Sequence, residues 1–179
     1  MTKLIDFGSA VAGEDCIIFD PTTAQVVYDP KPNVWIVSAG QSGQLVSFAA
    51  KADAQQALSI IQQYGLNSQC FVGREGGGFP PAPTIMVYWK VNGNAPTGTI
   101  SNPGDCGVPF KPQDVTAVQL PAGNWVVMAG QTQLLNFGIA QNAEANAQLA
   151  LSIIQQYKFT SQCFVGNKGP PAEMMYWTS

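Results

Sequence analysis

The chain has 179 residues, of which 46% are hydrophobic and only 11% charged, with a formal net charge of -3 and no histidine. Enough apolar side chains are present for an ordinary globular core, so the surface must be wetted mainly by neutral Gln, Asn, Gly, Ser and Thr. Eight Lys and Arg scattered along an acidic chain cannot form a dense phosphate-neutralising patch, which excludes nucleic acid as a partner and disfavours anionic membranes.

The N-terminal stretch "MTKLIDFGSAVAGEDC" has one Lys and too short an apolar run for a signal peptide, so either the chain stays inside the cell or a leader has been removed. No stretch approaches the roughly 18 apolar residues of a membrane span, which argues against membrane insertion. Runs rich in β-branched and aromatic residues come next: "CIIFD", "AQVVYD", "VWIVSAG" and "QLVSFAA" read as strands. Ala54, Ala57, Leu58, Ile61 and Tyr64 then follow helical spacing. Asp53 and Gln56 make a capping box for that helix, and Gly65 its C-cap. "SQCFVG" and "MVYWK" close the series as strands, and "VNGNAPTGTISNPG" is a turn-rich linker of which part is able to pair as a strand.

The same order then returns. "VTAVQL", "NWVVMAG" and "QLLNFG" precede a helical pattern at Ala147, Ala150, Leu151, Ile154 and Tyr157, with Lys158 where the first copy has Gly65. "ALSIIQQYGLNSQCFVG" from Ala57 and "ALSIIQQYKFTSQCFVG" from Ala150 agree at 14 of 17 positions. The chain is two copies of one unit, residues 1–98 (core about 10–90) and 99–179. Each is expected to be an α+β unit of about four strands, one helix and two strands, giving two pseudo-symmetric repeats in which a mostly antiparallel sheet is packed by one helix. Packing alone accounts for the identity of "ALSIIQQY" and "CFVG", which leaves recognition to other residues.

The cysteines are two plus two: Cys16 matches Cys106, and Cys70 matches Cys163. Pairing Cys16 with Cys70 and Cys106 with Cys163 is the simplest of three connectivities. Each bridge would close a loop of roughly 55 residues and contribute about 4 kcal/mol in the loop-entropy model. Reduced, buried thiols are the alternative and would suit the cytosol, whereas bridges place the chain outside the cell. A metal site is not expected, because the chain lacks both His and any Cys-x-x-Cys pair.

The set "NWVV", "LLNFG", "ALSIIQQY", "CFVG" and "MMYW" resembles an uncharacterised small module found singly or in tandem in bacterial and some eukaryotic extracellular proteins. In that module Phe-Val-Gly is followed by Arg, a Pro-rich turn and an aromatic strand. The resemblance spans most of each unit, with departures at Asn167, which stands where Arg74 fits the pattern, in the longer loop "REGGGFPPAPTI", and in "SFAA" at 47–50. It implies repeat architecture and an accessory or binding role.

Without His, triads of the Ser-His or Cys-His type are impossible. Only Asp15 and Asp105 recur among the eleven acids, which is a poor start for a two-carboxylate glycosidase. "GREGGG" lacks the context of a phosphate loop, and no Asp and Asn cluster has calcium spacing. The expectation is therefore a non-enzymatic binding protein without a cofactor. Neutral sugars are recognised by an aromatic face plus amide and hydroxyl groups, and Trp35, Gln41, Tyr88 and Trp89 recur in register as Trp125, Gln131, Tyr176 and Trp177. A glycan is the expected ligand. A protein-binding effector (a toxin component, defence protein or protease inhibitor) using loop 74–85 is the alternative, and a structural module forming homo-oligomers is the third.

Overall fold

In the computed structural model, which describes residues 11–73, 86–166 and 173–179, both units run four strands, a helix and two strands. The first unit contains β1 (Asp15–Ile18), β2 (Ala24–Asp29), β3 (Val34–Ala39), β4 (Gly43–Phe48), α1 (Lys51–Tyr64), β5 (Ser68–Val72) and β6 (Met86–Lys90). The second contains β7 (Asp105–Cys106), β8 (Val115–Gln119), β9 (Trp125–Ala129), β10 (Thr132–Gly138), α2 (Ala143–Gln156), β11 (Ser161–Val165) and β12 (Met174–Thr178). The fold is α+β, and the strands of each unit divide into two antiparallel three-stranded sheets. One is the meander β2-β3-β4 or β8-β9-β10; the other is β1-β5-β6 or β7-β11-β12.

Direct pairing of Cys16 with Cys70 and of Cys106 with Cys163 across neighbouring strands allows both disulfides to form as the simplest connectivity predicts. The capping box does not form. Helix α1 starts at Lys51, behind an Ala50 N-cap with no side-chain bond. Gln56 instead donates to the carbonyl and Oδ1 of Asn102 in the other unit. Gly65 ends the helix at φ 68° as expected, and Lys158 takes the same left-handed conformation at φ 56°. A side chain there costs roughly 1–2 kcal/mol.

The repeated segment does structural work that composition alone does not reveal. Leu45 in β4 and Leu134 in β10 are bulged residues skipped by the register, and a bulge leaves its extra residue outside the ladder. Gln69 and Gln162, both from the repeated "SQCFVG", donate Nε2 to these two carbonyls at 2.9 and 3.1 Å. Each amide thus joins the two sheets of its own unit.

Each helix covers the meander of its own unit, and packing also runs between the units. The core around α1 gathers Ala54, Ala57, Ile60 and Ile61 with Val165, Met174 and Tyr176 from the second unit. The core around α2 gathers Ala147, Ala150, Ile153 and Ile154 with Val72, Met86 and Tyr88 from the first. Strands β6 and β12 meet at the pseudo-twofold axis, where the Trp89 indole donates to the Met175 carbonyl and the Trp177 indole to the Val87 carbonyl, each at 3.0 Å. No helix of the described residues is long and apolar enough to cross a membrane.

Candidate functional site

Four of the eight residues expected to bind ligand are scaffold. Tyr88, Trp89, Tyr176 and Trp177 are all 0% exposed, because strands β6 and β12 have apolar neighbours on both faces. Trp89 meets Phe19 edge-on, and Trp177 packs among Phe110 and Phe159. These residues are closed to a sugar, which corrects the expectation that Tyr88, Trp89, Tyr176 and Trp177 contact a ligand.

The other four do not converge. Trp35 and Trp125 are half-buried at the start of β3 and β9, while Gln41 and Gln131 are exposed in the turns beyond the opposite ends of those strands. Four steps of strand carry the chain about 13 Å from Trp35 to Ala39, and Gln41 lies in the turn beyond. The Trp35 ring is also engaged, with Lys51 Nζ 5.0 Å from its centroid and Tyr28 at 4.8 Å. In the second unit Gln119 takes the place opposite Trp125 that Tyr28 takes opposite Trp35. Loop 74–85, proposed above as a protein contact, lies outside the described residues, as do Arg74 and Asn167.

Two tyrosine clusters mark equivalent places between the units but are wired differently. Glu14 and Lys90 form a buried ion pair at 3.2 Å, their side chains 1% and 5% exposed. The hydroxyls of Tyr88 and Tyr157 both donate to Glu14 Oε1, at 2.9 and 2.7 Å, and Lys90 Nζ donates to the Tyr157 hydroxyl at 3.1 Å. In the second cluster the Tyr176 hydroxyl donates to the Pro103 carbonyl and Tyr64 to that of Gly98. Burial and then the Glu14 carboxylate push the Tyr88 and Tyr157 hydroxyls well above the usual phenol range; burial first, then neighbouring Tyr64, does so for Tyr176. The unfolded chain therefore releases these protons first. Stability is fully present below about pH 10 and falls as pH rises beyond it, by up to ~1.4 kcal/mol per pH unit for each of Tyr88 and Tyr176. An alkaline titration is expected to show the phenolate absorbance of Tyr88, Tyr157 and Tyr176 rising in step with the loss of circular dichroism; ionisation of these three in a chain that keeps its fold would contradict this.

One cleft, of about 510 Å³, lies between the last turn of α1 and the linker. Its walls are Gln63 and Tyr64 on one side and residues 91–100 on the other. Val91 and Asn94 bridge across Asn92 and Gly93, whose φ values of 51° and 81° make the Asn-Gly turn of a tight hairpin. Asn67 pins Asn92 through both its backbone N–H and its Oδ1, at 2.9 and 2.7 Å. Beyond the turn, the Pro96 carbonyl accepts from the Ser179 N–H, and the Ser101 N–H donates to Gln63 Oε1. Among the described residues, Asn92 Nδ2 and the Thr97 and Thr99 hydroxyls have no partner, so they remain available to a ligand. The run of Asn, Thr and Gly without charge was visible in the sequence, but as linker composition. Among the described residues no cluster of His, Cys, Asp and Glu is arranged to hold a metal ion. Comparison with protein families, with characterised proteins and with solved structures finds no match for this chain.

Proposed function

We propose that the protein is a non-enzymatic carbohydrate-recognition protein of tandem-repeat build, secreted like the extracellular module it resembles, with its site in the cleft between α1 and the linker. The observation that carries this reading is the set of neutral donors and acceptors, Asn92, Thr97 and Thr99, held beside the partly exposed apolar surfaces of Tyr64 and Ile100. Sugars need this mixture, because hydroxyl groups must regain hydrogen bonds lost to water while the C–H faces of the ring need apolar contact. The volume falls within the roughly 300–1,000 Å³ of small-ligand sites. Two disulfides favour an oxidising compartment over the cytosol.

A glycan array followed by titration calorimetry tests the proposal. The Asn92→Ala and Thr97→Ala variants are each expected to weaken binding roughly threefold to tenfold, since a hydrogen bond contributes about 0.5–1.5 kcal/mol net. Trp35→Ala and Trp125→Ala, away from the cleft, are expected to leave it unchanged. Silence across the array, with a protein recovered in its place by pull-down, would remove the sugar reading in favour of a protein-binding effector.

A further inference from the structure

We infer that the cleft selects uncharged sugars and turns away anionic ones, an inference that rests on the carbohydrate reading above. None of the residues lining the cleft is Asp, Glu, Lys or Arg. Lys90, next in the chain to Val91, is 4% exposed and committed to Glu14, so it offers no charge to a ligand. The cleft also lies at the C-terminal end of α1, where the aligned peptide dipoles leave roughly half a negative charge. Gly65 N–H and Leu66 N–H satisfy the Gln62 and Ile61 carbonyls, and both fold back along the helix. A carboxylate or sulfate entering here sheds water, meets no cation and faces the negative end of a helix. A hydroxyl or acetamido group instead meets the Asn92 amide as donor and the Thr97 and Thr99 hydroxyls as donor or acceptor. Hydration lost without a counter-ion and the dipole together weaken an anion by about tenfold or more relative to its neutral counterpart.

The test is titration calorimetry of the full chain with neutral maltotriose, cellotriose, mannotriose and chitotriose. The strongest binder is then compared with the same sugar oxidised at its primary alcohols to carboxylates. The oxidised sugar is expected to bind at least tenfold more weakly. Thr99→Lys, at an exposed position on the cleft wall, is expected to close or reverse that gap. Equal binding of both forms by the unmodified protein overturns charge selection and leaves the sugar reading standing. A gap that Thr99→Lys does not change also overturns it, because discrimination then arises elsewhere. Failure of every sugar to bind, charged or neutral, removes both.

Discussion

Replacing Lys90 with Met is expected to destabilise the protein by roughly 3–5 kcal/mol, the effect of stranding one partner of a buried ion pair. Glu14 is 1% exposed in its side chain, so its carboxylate would have to stay charged without the Lys90 ammonium or take up a proton. Glu14→Gln strands the ammonium in the same way. The double variant Glu14→Gln with Lys90→Met is expected to recover most of the loss, because buried pairs replaced together by neutral groups are often nearly neutral in stability. The molecule already contains the neutral solution. At the equivalent place between the units Thr178 stands for Lys90 and Gly104 for Glu14, and there the tyrosines donate to backbone carbonyls instead. Urea denaturation of the two single variants and the double variant provides the check. Single losses below about 1 kcal/mol would mean that water reaches the pair.

The repeat, the order of elements and the disulfide pairing were legible because each rests on local pattern. Helical spacing at Ala54, Ala57 and Ile61, the β-branched and aromatic run in "AQVVYD", and the two-plus-two cysteines carry their information in a few neighbouring letters. The ends of the helices were less legible. Asp53 and Gln56 have capping-box spacing, but Lys51 is free to begin the helix and to lie over Trp35, and Gln56 finds Asn102. The site was the least legible part. Recurrence of Trp and Tyr in both copies reads equally as two platforms or as two copies of one core. The strands bearing Tyr88, Trp89, Tyr176 and Trp177 are covered on one face by their own unit and on the other by the second unit, and no periodicity within one unit announces a neighbour supplied by the other. The cleft depends on where a linker lies against a helix end, which its own letters do not specify.

Cutting the linker is expected to leave the halves together, because what holds them is shared core rather than chain. Both disulfides lie within a unit, Cys16 with Cys70 and Cys106 with Cys163, so cleavage at a protease site inserted between Thr97 and Thr99 removes the only covalent connection. What remains is Tyr88, Met86 and Val72 buried against α2, Tyr176, Met174 and Val165 against α1, and two reciprocal indole hydrogen bonds. Each large apolar side chain fully withdrawn from water contributes about 1.5–3 kcal/mol. Six such side chains sum to roughly 9–18 kcal/mol, which, set against an association cost of about 4 kcal/mol or more, reaches the roughly 8 kcal/mol of a micromolar complex. The cleaved protein is therefore expected to elute from size exclusion at the volume of the intact chain at micromolar concentration. After separation in denaturant, each half alone would expose the strand faces that the other covers. It is expected either to lose cooperative unfolding or to pair with a second copy of itself, which the near-identity of the repeated segments permits. Mixing the two halves should restore the original complex. Halves that part on the column, or a single half that stays monomeric and unfolds cooperatively, would mean that each unit holds a sufficient core of its own and that the contacts across the pseudo-twofold axis are incidental to stability.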